Sequence, residues 1–293
     1  MQTEISTARP NLIRLPSAPF WQLGILGALL LWLYWPTLFW LVSQWSTDQN
    51  ASHGFLVPLF SAFVIWQERD RLSRILPQPS WSGVVVLIAG LGVLTLGRMG
   101  AERFLECSSL LLVLAGVVIV FLGWNLFLAV FLPWAFLLLM IPIPKIVLNQ
   151  ITFPLQLLAS RVSAAVLEFL GVPVGLYGNV LQLATMRLNV EEACSGIRFL
   201  VALLTLAIIY GYLMERRLWV RWLLALASLP IAIAANVVRI IGTGLLVQHW
   251  PEAADGFYHS SWGLLTFAVF ALLMLYTLHA LVGVVAPKKG RES

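Results

Sequence analysis

Long apolar runs separated by short polar segments are the main pattern along this chain. Runs of about 20 apolar residues are long enough to cross a hydrocarbon core roughly 30 Å thick. We predict membrane helices at residues 20–42, 54–67, 82–98, 108–123, 125–142, 196–214, 218–248 and 262–285. The second run is short, and Pro230 and Asn236 interrupt the seventh, where we expect a kink or a break. The pattern therefore predicts an all-α polytopic membrane protein with about eight transmembrane helices.

Residues 143–195 form a connection that is much longer than the others. Its segment 151–170 is apolar, but it carries Pro154, Arg161 and Glu168. Charged side chains are unfavourable at the centre of a bilayer. We therefore predict that this segment is a re-entrant or interfacial amphipathic helix on the outer side of the membrane, and that it is not a ninth span.

A strand-like pattern follows that segment. Residues 186–191 alternate apolar and polar side chains, as expected for a β-strand with two different faces. Residues 179–183 lie close enough in the chain to pair with them. We predict a small β-hairpin near the outer surface.

Composition supports the membrane assignment and excludes a soluble domain. The chain of 293 residues is 60% hydrophobic and 11% charged, whereas soluble proteins carry about 25% charged residues. Its thirteen tryptophans are typical of side chains placed at the two membrane interfaces. The net charge of +5 sits in short segments between apolar runs, so we predict no nucleic-acid partner.

The positions of Lys and Arg predict the orientation of the chain. Eleven of the 18 basic residues fall in segments that are cytoplasmic if both termini are cytoplasmic: Arg9, Arg14, Arg69, Arg71, Arg74, Arg216, Arg217, Arg221, Lys288, Lys289 and Arg291. We therefore predict one membrane domain with a cytoplasmic segment 1–19, helices in 20–142, an outer segment 143–195, helices in 196–285 and a basic cytoplasmic tail 286–293. The first apolar run is expected to be a retained helix.

This orientation brings three reactive side chains to one depth. Cys194 lies at the outer start of the sixth span, and His259 lies just before the eighth. Arg239 is eighteen residues beyond Arg221, which at 1.5 Å per residue raises it roughly 27 Å to the outer leaflet. His279 falls near the inner end of the eighth span. A thiol, a guanidinium and an imidazole are therefore expected near the same membrane face.

Together these three groups suit acyl transfer through a thioester. A cysteine near cations at a helix N-terminus has a depressed pKa and is available as the thiolate nucleophile. Histidine can hold a proton and return it to a leaving amine, and arginine can donate hydrogen bonds to an oxyanion. Such chemistry predicts no metal and no organic cofactor.

Each residue also has a structural interpretation. Cys194 could be a small packing residue, or it could form a disulfide with Cys107, which is also predicted on the outer side. Arg239 could extend its charge to the lipid headgroups. His259 could belong to a polar loop, and His249 is a competing histidine. Their shared depth favours the catalytic interpretation over these separate ones.

Four short motifs resemble the exosortase/archaeosortase family of membrane transpeptidases. They are SHGFLVP at 52–58, EACSG at 192–196, NVVR at 236–239, and His259 followed by Gly263. They occur in this order over most of the chain, which is more specific than any one of them. Archaeal relatives often carry Arg at the last position, so His259 favours the bacterial branch.

The resemblance implies a function and a partner. Exosortases are inner-membrane enzymes that are thought to cleave a C-terminal sorting signal and pass the exported protein to an acceptor in the cell envelope. That signal has a Pro-Glu-Pro motif, a transmembrane helix and a basic tail. By position, the resemblance implies Cys194 as the nucleophile, Arg239 as the oxyanion-stabilising cation and His259 as the acid and base. Membrane lipids are the other expected partner.

Four further residues are expected to contact the substrate or to support those three. Arg198 lies one turn beyond Cys194, and Glu192 directly precedes the cysteine motif. His53 belongs to the first motif, and Asn236 opens the third. These assignments are hypotheses based on position alone.

Two other classes of function remain open from the sequence. A transporter or flippase of lipid-linked sugars would also have many helices and scattered charges. Against it, the sequence has no internal repeat and no charged residue near the centre of its first five predicted spans. Another membrane hydrolase or acyltransferase is disfavoured because Gly-x-Ser-x-Gly and His-Glu-x-x-His motifs are absent.

Overall fold

The computed structural model describes residues 20–48, 51–184, 187–189, 196–249 and 263–285. Within those ranges the helices are α1 Phe20–Thr47, α2 Leu56–Gln67, α3 Arg69–Leu72, α4 Ser82–Met99, α5 Arg103–Leu122, α6 Trp124–Ala129, α7 Phe131–Phe136, α8 Lys145–Phe169, α9 Gly196–Met214, α10 Leu218–His249 and α11 Gly263–Val285. Two 3₁₀ turns lie at Ser52–Phe55 and Leu137–Met140. The predicted class, an all-α polytopic membrane protein, is confirmed.

Five helices are long and apolar enough to cross a membrane: Gly24–Thr47, Ser82–Met99, Arg103–Leu122, Leu218–Leu246 and Ala268–Val285. A bent pair, Phe131–Met140 and Lys145–Phe169, would make a sixth. Ser52–Gln67 and Leu200–Met214 are apolar but shorter. The predicted count of eight is therefore not confirmed by the part of the chain that the structure describes.

The predicted continuous helix at 125–142 is wrong. The structure divides this segment into α6, α7 and the 3₁₀ turn that follows. Pro133 lies in the first turn of α7, where its missing N–H is tolerated. A helix continuing from α6 would need that N–H to bond to the carbonyl of Ala129. Pro142 and Pro144 then separate two helical segments that differ in direction by 85°.

The chain divides into two compact units. One comprises Met1–Ser43 with Ile65–Ala135, and the other comprises Gln44–Val64 with Phe136–Ser293. In the first unit α4 packs closely against α5 through glycines seven residues apart, at 83, 90 and 97. A Cβ at Gly90 would lie only 2.8 Å from Val113 Cγ2. Small residues at this spacing let the backbones of two membrane helices approach closely, so the helices pack without polar side chains between them.

The second unit is built around α10. Leu203, Ala207, Leu224 and Ala271 belong to one apolar core formed by α9, α10 and α11. A second core lies where α8 and a small sheet pack against α10, with Leu167 and Ile240 fully buried. The two cores lie along different stretches of the same helix.

The sheet confirms the predicted hairpin and adds a strand. It has three antiparallel strands in the order β1 Val174–Tyr177, β2 Val180–Leu183 and β3 Arg187–Asn189. β2 and β3 pair with Leu181 opposite Leu188, so both leucines face the core. β1 was not predicted, because its sequence, Val-Gly-Leu-Tyr, is short and contains a glycine.

A buried carboxylate stabilises the connection from α9 to α10. Both oxygens of Glu215 accept hydrogen bonds: Oε1 from the backbone N–H groups of Arg216 and Arg217 (2.8 and 3.1 Å), and Oε2 from Arg217 Nη2 (2.8 Å). His279 Nε2 of α11 lies 3.6 Å from Oε2, and Tyr210 Oη lies 2.7 Å from His279 Nδ1. The hydrogen bonds from Arg217 lower the pKa of Glu215 to about 2.

We expect Glu215→Gln to lower the thermal unfolding midpoint of the detergent-solubilised protein at pH 7. Losing hydrogen bonds to a charged group typically costs about 2 kcal/mol. Because the pKa of Glu215 is depressed, its stabilisation is full above about pH 4.5 and is lost as the pH falls toward 2. The difference from wild type should therefore shrink on acidification. Glu168→Gln, at an exposed carboxylate of α8, is the control.

Candidate functional site

Two of the predicted site residues lie one turn apart on α10. Asn236 is buried, with 3% of its surface exposed, and Arg239 is half-buried. The Thr243 hydroxyl donates to the Arg239 carbonyl at 2.9 Å, one turn further along. A permanent charge in so apolar a helix is unfavourable unless it faces protein or water, and such residues commonly mark functional sites.

α9 and α10 run antiparallel in a defined register. A Cβ at Gly211 would lie 3.4 Å from Arg221 Cα, so the two backbones are close near their short connection. Further along, Leu200 lines the same cavity as Ala232. From the first of these pairs to the second, both helices advance by eleven residues in opposite directions. Residues equally far from the connection, such as Leu200 and Ala232, therefore lie at the same height along the two helices.

A small, partly open cavity lies where α8, α9 and α10 meet. It is lined by Thr152, Leu155, Gln156, Ala159, Leu200, Ala232, Ile233 and Asn236. The lining contains polar side chains and no charged ones. Asn236, which lines the cavity, precedes Arg239 by one turn of α10. The cavity therefore lies about one helical turn from Arg239 along that helix.

Sequence reasoning missed the residues that α8 contributes to this cavity. Thr152 and Gln156 were counted only as part of a predicted re-entrant or interfacial helix. An interfacial helix would turn its polar face to water, whereas the structure buries this face beside α10. Together with Phe131–Met140, α8 forms either a broken span or a re-entrant loop. The signal was the spacing of Thr152, Gln156, Ser160 and Ser163, which repeats every three to four residues.

Several predicted site residues lie outside what the structure describes. Cys194, Glu192 and His259 fall in segments 190–195 and 250–262, which are not among the described residues. Arg198 lies in the first turn of α9, and only its backbone is described. Of the predicted catalytic trio, the structure therefore describes Arg239 alone, and their meeting stays a prediction.

His53 is held by contacts of its own. It lies in the 3₁₀ turn Ser52–Phe55, and its Nε2 is 3.1 Å from the carbonyl oxygen of Leu139. The neighbouring Trp45 donates from Nε1 to the carbonyl of Met140 at 3.0 Å. The SHGF motif is thus bonded to the turn Leu137–Met140, which suggests a supporting position for His53.

The competing cysteine and one competing histidine are placed by the structure. Cys107 is a free thiol on α5 with 0% of its surface exposed, which gives the disulfide alternative no support. His279 contacts Glu215 and Tyr210 at the α9–α10 connection, the end of α9 opposite to Gly196. That location agrees with the predicted separation of His279 from the reactive level. His249 ends α10, and its side chain is not described.

Metal-binding side chains are not grouped in the described ranges. Among residues 20–48, 51–184, 187–189, 196–249 and 263–285, no three His, Cys, Asp or Glu side chains lie close enough together to hold an ion. The polar groups that line the described cavity are two neutral amides and a hydroxyl, from Gln156, Asn236 and Thr152.

Comparison with known proteins identifies the family. No curated protein and no solved structure matches the chain significantly. The family described as transmembrane exosortase (Exosortase_EpsH) matches residues 45–276. That range includes all four motifs, all but the last residues of α11, and the cavity between α8, α9 and α10. The match covers most of the chain. The chain belongs to the transmembrane exosortase family.

Proposed function

We propose that this exosortase is a cysteine peptidase and transpeptidase of the bacterial inner membrane. Its substrates would be exported proteins that end in a Pro-Glu-Pro motif, a transmembrane helix and a basic tail. The enzyme would cleave at this signal through a thioester and transfer the protein to an acceptor in the cell envelope. Both termini would be cytoplasmic, with the reaction at the periplasmic face.

The observation that carries this proposal is the register of α9 and α10. Gly211 faces Arg221, and Leu200 lines the same cavity as Ala232. At equal helical rise this register sets Gly196 level with Asn236, so Arg239 lies one turn beyond the described start of α9. Cys194 precedes Gly196 by two residues in the sequence. We infer that the thiol and the guanidinium share one level of the bundle.

The proposed chemistry assigns one role to each residue. The Cys194 sulfur attacks the carbonyl carbon of the scissile peptide bond, and His259 takes the thiol proton. Arg239 donates hydrogen bonds to the oxyanion of the tetrahedral intermediate. The C–N bond then breaks, His259 protonates the leaving amine, and the N-terminal part of the substrate stays on sulfur as a thioester. An amine acceptor or water releases it and restores the thiol.

The remaining predicted residues would support this reaction. Arg198 follows Cys194 by about one turn, so its charge would favour the thiolate. Glu192 would lie near the same end of α9 as Cys194. His53 would hold the turn Leu137–Met140 through its contact with the Leu139 carbonyl. Asn236 would contact the substrate from the cavity wall.

A processing assay tests the proposed function. The chain is co-expressed with an exported reporter that carries the complete sorting signal, and the reporter's size is followed in membranes. We expect a shortened reporter only when the chain is present. A second reporter with the same helix and tail, but with Pro-Glu-Pro replaced by three alanines, should stay full length. An intact first reporter in the presence of the membrane-inserted chain would contradict the proposal and favour the transporter class.

A further inference from the structure

α8 buries a stripe of hydroxyl and carboxamide side chains, and it exposes several large apolar side chains together with the charged Arg161 and Glu168. Thr152, Gln156, Ser160 and Ser163 are buried among the helices of the second unit. On the opposite side Ile151, Phe153, Leu158 and Phe169 are exposed. Buried polar side chains beside exposed apolar ones suit a helix that contacts lipid and whose polar stripe lines the bundle interior.

Each hydroxyl on this polar side already has a backbone acceptor. Thr152 Oγ1 donates to the Asn149 carbonyl at 3.3 Å, and Ser160 Oγ donates to the Gln156 carbonyl at 2.8 Å. Ser163 Oγ reaches across to the Val237 carbonyl of α10 at 3.5 Å. These bonds account for the three hydroxyls without any ligand.

The Gln156 carboxamide is the exception. Its side chain has only 6% of its surface exposed and lines the cavity, yet it makes no hydrogen bond to any residue that the structure describes. The carboxamide therefore keeps a donor and an acceptor for a group that enters the cavity.

The lining of the cavity indicates the chemistry of that group. No Lys, Arg, Asp or Glu is among the eight lining residues, so neither a phosphate nor an ammonium group finds an opposite charge there. A carboxamide offers a donor and an acceptor side by side, which matches a main-chain peptide group. The amides of Gln156 and Asn236 approach the cavity from facing helices.

We propose that this cavity binds a main-chain peptide group of the substrate polypeptide, with the Gln156 carboxamide as the hydrogen-bonding partner. The inference rests on the proposed function, since it needs a polypeptide substrate at the level of Arg239. One helical turn separates Asn236 from that residue, so the bound peptide group would be a near neighbour of the scissile bond. Its binding would fix the position of the chain before attack.

Gln156→Met tests the binding role, because methionine keeps the shape and removes both hydrogen-bonding atoms. In membranes, with the purified reporter protein carrying the complete sorting signal, we expect KM to rise about tenfold while kcat changes less than threefold. Gln150→Met is the matched control, since Gln150 is exposed on the same helix. Its kinetics should equal those of wild type. An unchanged KM in Gln156→Met would overturn the inference.

Crosslinking gives a second measurement that does not need catalysis. A diazirine amino acid is placed at position 156, or at position 150 as control, in a chain that also carries Cys194→Ala. We expect the reporter to crosslink at 156 and not at 150. Crosslinks at 156 to lipid alone would overturn the inference even if wild type processes the reporter normally. Failure of wild type to process the reporter would instead contradict the proposed function.

Discussion

Cys194→Ser abolishes processing of the reporter in our account, and Cys194→Ala does the same. Serine keeps the position and nearly the size of cysteine, but its hydroxyl is a far weaker acid than a thiol. The proposed site would stabilise a thiolate near cations at a helix N-terminus, and it would not provide for an alkoxide. We expect a loss on the order of 10⁴-fold or more, down to the background rate. The measurement is the amount of shortened reporter, normalised to inserted enzyme.

Cys107→Ala is the matched control for this pair of variants. Cys107 is the other cysteine, buried and free on α5, and alanine would remove only its sulfur atom. Processing should stay within about twofold of wild type, with a loss of stability of about 1 kcal/mol. Equal loss of processing in Cys107→Ala and Cys194→Ala would argue against a role for Cys194 as nucleophile.

Arg239→Lys should be nearly as damaging as loss of the cysteine, although the charge is kept. Guanidinium presents several N–H groups in a fixed plane, whereas ammonium is a single point on a flexible stem. Loss of one oxyanion donor typically lowers kcat about 10²–10³-fold. We expect a decrease of that size in kcat with little change in KM. Steady-state kinetics on the purified reporter separate the two parameters.

Arg161→Lys controls for a general effect of replacing arginine. Arg161 is exposed on α8, away from the buried polar side of that helix. Its replacement should leave both kinetic parameters unchanged. If Arg239→Lys were equally mild, Arg239 would be a residue that only extends its charge to lipid headgroups, and the proposed oxyanion role would be wrong.

The class of the fold and the two helices beside the site were predictable from hydropathy alone. The predicted runs 196–214 and 218–248 agree closely with α9 and α10, because both are uninterrupted apolar stretches and the connection between them is charged. Pro230 and Asn236 did not end the second run, and α10 is one continuous helix through both. Membrane helices tolerate an internal proline because neighbouring groups can satisfy the freed backbone carbonyl.

The rest of the fold depends on contacts that a hydropathy pattern does not contain. The polar residues in α8 predicted a re-entrant or interfacial helix, but hydropathy does not show that the polar side of this helix turns toward the bundle interior. The break before α7 depends on one missing N–H at Pro133, within an otherwise suitable apolar run. The strand β1 was too short to show an alternating pattern.

The site was partly predictable because its residues break an apolar background. Arg239 and Asn236 stood out as a charge and an amide within a long apolar helix, and the structure confirms that both lie on α10 one turn apart. Gln156 did not stand out, because neighbouring polar residues hid it. Gln156 is distinguished in the structure by its burial and by its neighbours, since the nearby hydroxyls of Thr152 and Ser160 already donate to backbone carbonyls.

Direct detection of the acyl-enzyme tests the central claim, that Cys194 carries the substrate as a thioester. Wild-type enzyme and the purified reporter are mixed, quenched in acid within seconds and digested, and peptides containing residue 194 are examined by mass spectrometry. We expect the new C-terminus of the reporter joined to Cys194, and its release by neutral hydroxylamine, which cleaves thioesters. An adduct on another residue, or shortened reporter formed at the normal rate by Cys194→Ala, would contradict it.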